Sequence, residues 1–239
     1  MADRKLLLLS ATLVLIGGVF LTILTLFIHP QGGGTEEANF AIGAASEAWT
    51  AIHLGQFVGW AVLLAGMVVL FFALNLSEGT PRWVGFFGAV SAGVAIALSG
   101  VLYAVDGVAN KQAWVAWVSA PAAEKAARFA SAQALRWLEW GITSYQFFVF
   151  GLALVLYTIA IVWTARVPRP IGYLMGVSGL AVLVSGWLFG TTGFTSASTI
   201  PTDAGYTLVF VSMIWLLIVA WRIKEATGAG FPASTPTSQ

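Results

Sequence analysis

The chain has 239 residues, of which 59% are hydrophobic and only 9% charged, with a formal net charge of +1 and a mean hydropathy of +0.87. Soluble domains carry about 25% charged residues, so this composition excludes one, and the near-neutral balance gives no nucleic-acid signal. There is no cysteine, which excludes disulfides, thiolate metal sites, iron–sulfur clusters and thiol catalysis.

About 20 apolar residues cross the hydrocarbon core of a bilayer as a helix. Six segments meet that length: 5–28, 51–76, 83–105, 140–165, 171–190 and 206–221. The expected fold class is therefore all-α, a polytopic membrane helix bundle of six transmembrane helices. Residues 1–225 form one transmembrane helical domain in this reading. The first run, 6–28, is too long for a signal peptide, and no small-residue cleavage site comes after it. The loop after it opens Pro30-Gln31-Gly32, carries Glu36, Glu37 and Glu47, and predicts a short interfacial helix at 38–48. The spacing of the second and third spans leaves a short turn at 77–82.

Residues 107–138 are Ala-rich and helix-prone. They predict an extended outer hairpin between the third and fourth helices, turning at Pro121 and either protruding or lying on the membrane surface. Asp106 is 15 residues before Pro121, while Arg136 and Glu139 are 15 and 18 after it, so a regular hairpin brings the three together. Thr and Ser dominate the loop 191–203. Residues 226–239 are rich in Gly, Pro, Ser and Thr and predict a disordered cytoplasmic tail.

An even span count puts both termini on one side. With the N-terminus inside, the inner segments hold seven basic and three acidic residues (7 − 3 = +4) and the outer ones four and seven (4 − 7 = −3). The positive-inside rule then gives N-in, C-in in the cell inner (plasma) membrane. Trp83, Trp163 and Trp221 fall at inner ends and Trp49, Trp137 and Trp140 at outer ends, the aromatic belt. Small residues at Gly55-xxx-Gly59 and Gly186-xxx-Gly190 predict close helix packing within the bundle or at a dimer face.

Counting from the inner ends puts His29, His53, Asp106 and Glu139 roughly 36–40 Å up, at about 1.5 Å per residue. Helical stripes continue that layer: His53, Gln56, Trp60; Ser99, Tyr103, Asp106; and Arg136, Glu139, Thr143, Gln146. Residues at these offsets share a helix face, and a polar face turned to lipid is unfavourable. The expected ligand pocket is thus His53, Gln56, Ser99, Tyr103, Asp106, Arg136, Glu139, Thr143 and Gln146. Imidazole and carboxylate ligands suit a divalent metal ion (Zn, Cu, Mn or Fe) at His53, Asp106, Glu139 and His29, although no local metal motif accompanies them. The plainer reading is an ion-paired structural network. A b-type haem between His29 and His53 finds the heights matched, but His29 sits at a loose helix end and there is no second pair. Ser99, Thr143 and Ser144 lack a nucleophile-elbow pattern, so whether the chain is an enzyme stays open. No lysine lies inside a span to carry a retinal-type chromophore.

At His29-Pro30, Trp49-xxx-His53-Leu-Gly-Gln-Phe, Asp106 and Arg136-Trp-Leu-Glu139 the chain resembles an uncharacterised bacterial family of actinobacterial-type six-span membrane proteins. The resemblance covers most of 6–221 and implies a six-helix bundle with these outer polar residues, and no activity. Three functional readings remain open. The first is an outer polar pocket, metal-binding or not, that binds or senses a small or lipidic ligand. The second is a non-catalytic assembly subunit with a membrane-protein partner or as a homo-oligomer. The third is a transporter, which the apolar inner halves of the spans disfavour.

Overall fold

The computed structural model describes residues 2–30 and 32–223, so the expected disordered tail at 226–239 lies outside the described residues. Among the described residues all regular structure is helical. Helix α1 (Arg4–Ile23) begins where the Asp3 carboxylate accepts the Leu6 N–H at 3.1 Å, an N-cap that satisfies an otherwise orphan donor. It runs into a π-helical turn, Leu24–Ile28, and stops at His29, whose backbone is extended (ψ 130°) because Pro30 is next. Helix α2 (Glu36–Ala45) is capped by the Thr35 hydroxyl, with Glu36 and Glu37 in its first turn facing the positive end of the helix dipole.

Helix α3 (Trp49–Leu74) ends at Asn75 in the left-handed region (φ 45°). Helix α4 (Thr80–Ala104) carries Pro81 in its first turn, where the missing N–H costs nothing. A second π-helical turn, Val105–Asn110, links it to α5 (Lys111–Val118). Helix α6 (Lys125–Thr164) is 40 residues long, and α7 (Arg169–Thr192) and α8 (Ser196–Arg222) complete the fold.

Among the described residues, six helical segments are long and apolar enough to cross a membrane: Arg4–Ile28, Trp49–Leu74, Thr80–Val118, Lys125–Thr164, Arg169–Thr192 and Ser196–Arg222. The expected spans are all present, but three are longer than hydropathy suggests. The third and fourth continue as helix through the polar stretch, to Val118 and from Lys125. The last begins at Ser196, inside the expected loop 191–203, because Thr195 and Ser198 form a reciprocal capping box.

The six long helices pack in a closed ring, in the order α1, α3, α4, α6, α7, α8 and back to α1. Glycines set the closest crossings. A Cβ at Gly151 would lie 2.8 Å from the Gly179 carbonyl oxygen, and one at Gly179 would lie 2.9 Å from that of Gly151, so α6 and α7 touch backbone to backbone. Gly17 on α1 meets Gly59 on α3 in the same way. Most of the interior is an apolar core that includes Leu7, Leu64, Met67, Leu70, Leu154, Ile161, Ile171 and Met213, all fully buried. Its buried hydroxyls are neutral and satisfied: Tyr157 donates to Met67 O at 2.6 Å, Ser10 to Gly66 O at 2.8 Å and Ser178 to Gly205 O at 2.7 Å. A second, smaller apolar cluster of Phe40, Trp49, Trp114 and Ala132 joins α2, α3, α5 and α6.

Candidate functional site

The polar side chains gather where the two π-helical turns meet α3 and α6. His53 is the hub. Its Nε2 lies 2.9 Å from Asp106 Oδ2, and its Nδ1 lies 2.7 Å from the Trp49 carbonyl oxygen. A carbonyl only accepts, so Nδ1 carries its proton, and a single further proton is held between Nε2 and the Asp106 carboxyl. The second π turn can approach α3 this closely because position 107 has no side chain. A Cβ at Gly107 would sit 2.6 Å from the His53 Cβ, and the Gly107 carbonyl accepts from Thr50 Oγ1 at 2.7 Å. The indole of Trp49 donates to the backbone oxygen of Asp106 at 2.9 Å.

From Asp106 the network crosses to α6 through Asn110. Its Nδ2 donates to Asp106 Oδ1 at 3.3 Å and to Glu139 Oε2 at 2.6 Å. Arg136 Nη1 donates to both Glu139 oxygens at 2.6 Å. Glu139 therefore only accepts, and it is an ionised partner of a guanidinium. With one proton shared by His53 and Asp106, the cluster is neutral overall, which is the condition for burying four ionisable groups together. The burial is real: side-chain exposure is 1% at His53, 2% at Glu139, 14% at Asp106 and 21% at Arg136. The ring of Phe194 covers the guanidinium at 4.7 Å, a cation–π contact from the segment before α8.

One level deeper, Ser99 donates to Ala95 O at 2.8 Å, which commits its proton, so Gln146 Nε2 must donate to Ser99 Oγ, at 2.7 Å. Thr143 donates to the Glu139 carbonyl oxygen at 2.8 Å. Gln56 turns away from this group to donate to Thr25 Oγ1 in the first π turn at 3.1 Å. Tyr103 stands 6.0 Å, centroid to centroid, from the His53 ring. His29 packs its ring against Trp49 (4.8 Å) and His53 (5.2 Å, edge-on), and its Nδ1 lies 2.8 Å from Pro30 O. Burial, and secondarily the neighbouring His53, hold the His29 pKa below the usual histidine value.

The three expected stripes thus all turn inward, with Gln56 alone bonded to the first π turn. The proposed metal set does not assemble. Among the described residues, no group of three or more His, Asp and Glu side chains is placed to hold a metal ion. Both ring nitrogens of His53 and both Glu139 oxygens are already engaged. The His53 ring is also in edge contact with that of His29, at 5.2 Å between centroids. Sequence reasoning missed Asn110, Gly107, Thr25 and Phe194. Asn110 is four residues after Asp106, a helical spacing that was legible. Phe194 carried no such signal.

Two cluster residues end in unmet acceptors. Among the described residues, Asn110 Oδ1 and Gln146 Oε1 are buried with no partner, as are the indole N–H groups of Trp114 and Trp140. These contacts define an all-helical multi-pass membrane protein with a buried, charge-compensated polar cluster at one end of its bundle. No protein family, curated protein or solved structure matches the chain.

Proposed function

We propose that this is a plasma-membrane protein with both termini cytoplasmic, and that the outward-facing polar end of its bundle binds or senses a small or lipidic ligand. The charge asymmetry of the loops supports that orientation, and it makes 107–138 an outer hairpin. The single observation that carries the ligand reading is the buried chain Arg136–Glu139–Asn110–Asp106–His53. Ionisable groups at such a place are costly and are retained where they are used. Two π-helical turns flank the chain, a distortion that concentrates at functional sites. The apolar core that fills the rest of the bundle favours binding at one end over transport from side to side.

Native mass spectrometry, elemental analysis and visible absorption on the purified protein test this, with His53→Ala and Glu139→Ala beside it. A small molecule or lipid that the native chain holds and both folded variants lose supports the reading. A native chain that carries nothing, or three chains that carry the same species, overturns it and leaves an ion-pair cluster that only holds α3, α4 and α6 together.

A further inference from the structure

The charged cluster is closed in this structure. His53, Asn110 and Glu139 are all but fully buried, so a ligand reaches them only if something moves. Helix α2 is the outermost layer above them. From α2 inward the rings form one stack. Phe40 lies on Trp114 at 5.3 Å and 17°, Trp114 stands edge-on to Trp49 at 5.0 Å, and Trp49 packs on the His53 ring at 4.5 Å. Phe40 also meets Trp117 and Phe129, at 6.0 and 5.6 Å, which seats it between α5 and α6.

Two polar ties hold the ends of α2. In its first turn the Glu36 carboxylate accepts from Gln133 Nε2 at 2.8 Å, and Gln133 is three residues before Arg136 on α6. At its other end the Lys111 ammonium donates to Gly43 O, Ala44 O and Ser46 O at 3.0, 2.7 and 2.9 Å. A helix C-terminus leaves such carbonyls open, and a lysine is a natural partner for them. Lys111 follows Asn110 directly. Helix α2 thus lies across from α6 to the second π turn, with Arg136 near one end and Asn110 near the other.

The hold is light. Helix α2 has ten residues, a length that is marginal without packing, and the chain on either side, at 32–34 and 46–48, is non-helical. Its closest approach is Gly43, where an added Cβ would meet the Trp114 ring at 2.3 Å. Bare backbone therefore rests there on a flat indole, and α2 can leave it without withdrawing a side chain at that point. Elements held by few contacts open locally at far less than the cost of global unfolding.

We infer that α2 is a lid that lifts from Trp114 to admit a ligand to the charged cluster, and that Lys111 and Glu36 hold it shut. The inference rests on reading that cluster as a ligand site, and it names the step that controls entry.

Ala132 of α6 is fully buried in the same apolar group as Phe40 and Trp114. The native chain has no cysteine, so Ala132→Cys in nanodiscs supplies one thiol whose rate of reaction with a water-soluble maleimide follows the open population. Ala153→Cys, in the apolar core of the bundle, is the control for opening of the whole fold. The thiol at 132 is expected to react measurably faster than the one at 153. Lys111→Met keeps the length of the side chain and removes the ammonium, and it should speed the reaction at 132 about tenfold, the equivalent of roughly one charge-assisted hydrogen bond, with no change at 153. Glu36→Ala unties the other end and is expected to act in the same direction. It keeps the test decisive if Lys111→Met fails to fold. A thiol at 132 as slow as the one at 153 in every chain makes α2 a fixed part of the fold and overturns the lid. A thiol at 132 that reacts at one rate with and without the two ties is reached by another route, which overturns it equally. No ligand enters these measurements, so their failure is distinct from a failure of the binding test with His53→Ala and Glu139→Ala.

Discussion

At the residue scale the charged cluster is a set of partners, each of which would be costly alone. Glu139→Ala leaves the Arg136 guanidinium without its carboxylate in a largely buried place. Removing one partner of a buried pair costs about 3–5 kcal/mol. Because Arg136 keeps some exposure, the lower end of that range is expected, measured by unfolding in detergent or bicelles. The double variant Arg136→Met, Glu139→Leu should recover much of that loss, since it removes both charges; a double variant as unstable as the single one would show that packing, not charge, sets the cost. His29 makes a second prediction. Its depressed pKa means that below about 6.5, the ordinary histidine value, the unfolded chain takes up a proton that the folded chain refuses, since burial and the nearby His53 outweigh the attraction of Asp106. The folded state then binds fewer protons than the unfolded one, so stability falls as the pH drops from that value towards the depressed one. A pH series of unfolding midpoints for the native protein against His29→Gln checks this, the variant losing that slope. The charged residues of the cluster were legible in the sequence, because ionisable residues are rare in apolar spans and stand out. Arg136 was expected to pair with Asp106 or Glu139, and it takes Glu139. What the sequence did not show is that Asp106 takes His53 directly and reaches Glu139 through Asn110.

At the element scale the two π-helical turns and the glycine contacts set the geometry. Each π turn shifts the helical register of the residues after it. The second aims Asp106 and Asn110 into the bundle, and the first brings the end of its span beside His53. No periodicity in the residues announces a π turn, so the inserted register was invisible to hydropathy. Helix packing was easier to read. The Gly186-xxx-Gly190 pair expected at a helix contact does lie against α6, where a Cβ at Gly186 would be 3.0 Å from Ser144 O. The tighter pair, Gly151 with Gly179, came from two glycines far apart in sequence, and only the fold brings them together. Gly151→Leu would drive a side chain into the α7 backbone. Overpacking of this kind costs about 1–3 kcal/mol, and loss of stability at the upper end is expected, because the obstacle is backbone and cannot rotate away. Gly93→Leu, where none of the described residues comes within 4 Å of the new Cβ, is the control and should be near neutral. Equal effects of the two substitutions would mean that the α6–α7 contact is not rigid.

For the whole molecule, orientation is the first matter to test. The native chain has no cysteine, so single cysteines at Glu78 and Ala122 can be labelled with an impermeant maleimide on intact cells. The proposed topology expects modification at 122 and protection at 78, with both modified after lysis; the reverse pattern would invert the molecule and put the polar cluster on the cytoplasmic side. The ring of six helices explains why one end differs from the rest. Along most of its length the ring closes on apolar side chains, and the buried ionisable groups collect at the end where α2 and α5 pack over it. Composition, apolar run lengths and the rarity of charge determined the class, the number of spans and the residues that would face inward, because the hydrophobic effect and the cost of polar groups in lipid act on residue type and spacing alone. The tertiary structure decided which donor meets which acceptor, where Asn110 and Trp114 are left unmet, and how α2 lies over them. Those depend on helix register and on contacts between residues distant in the chain, which no local pattern encodes.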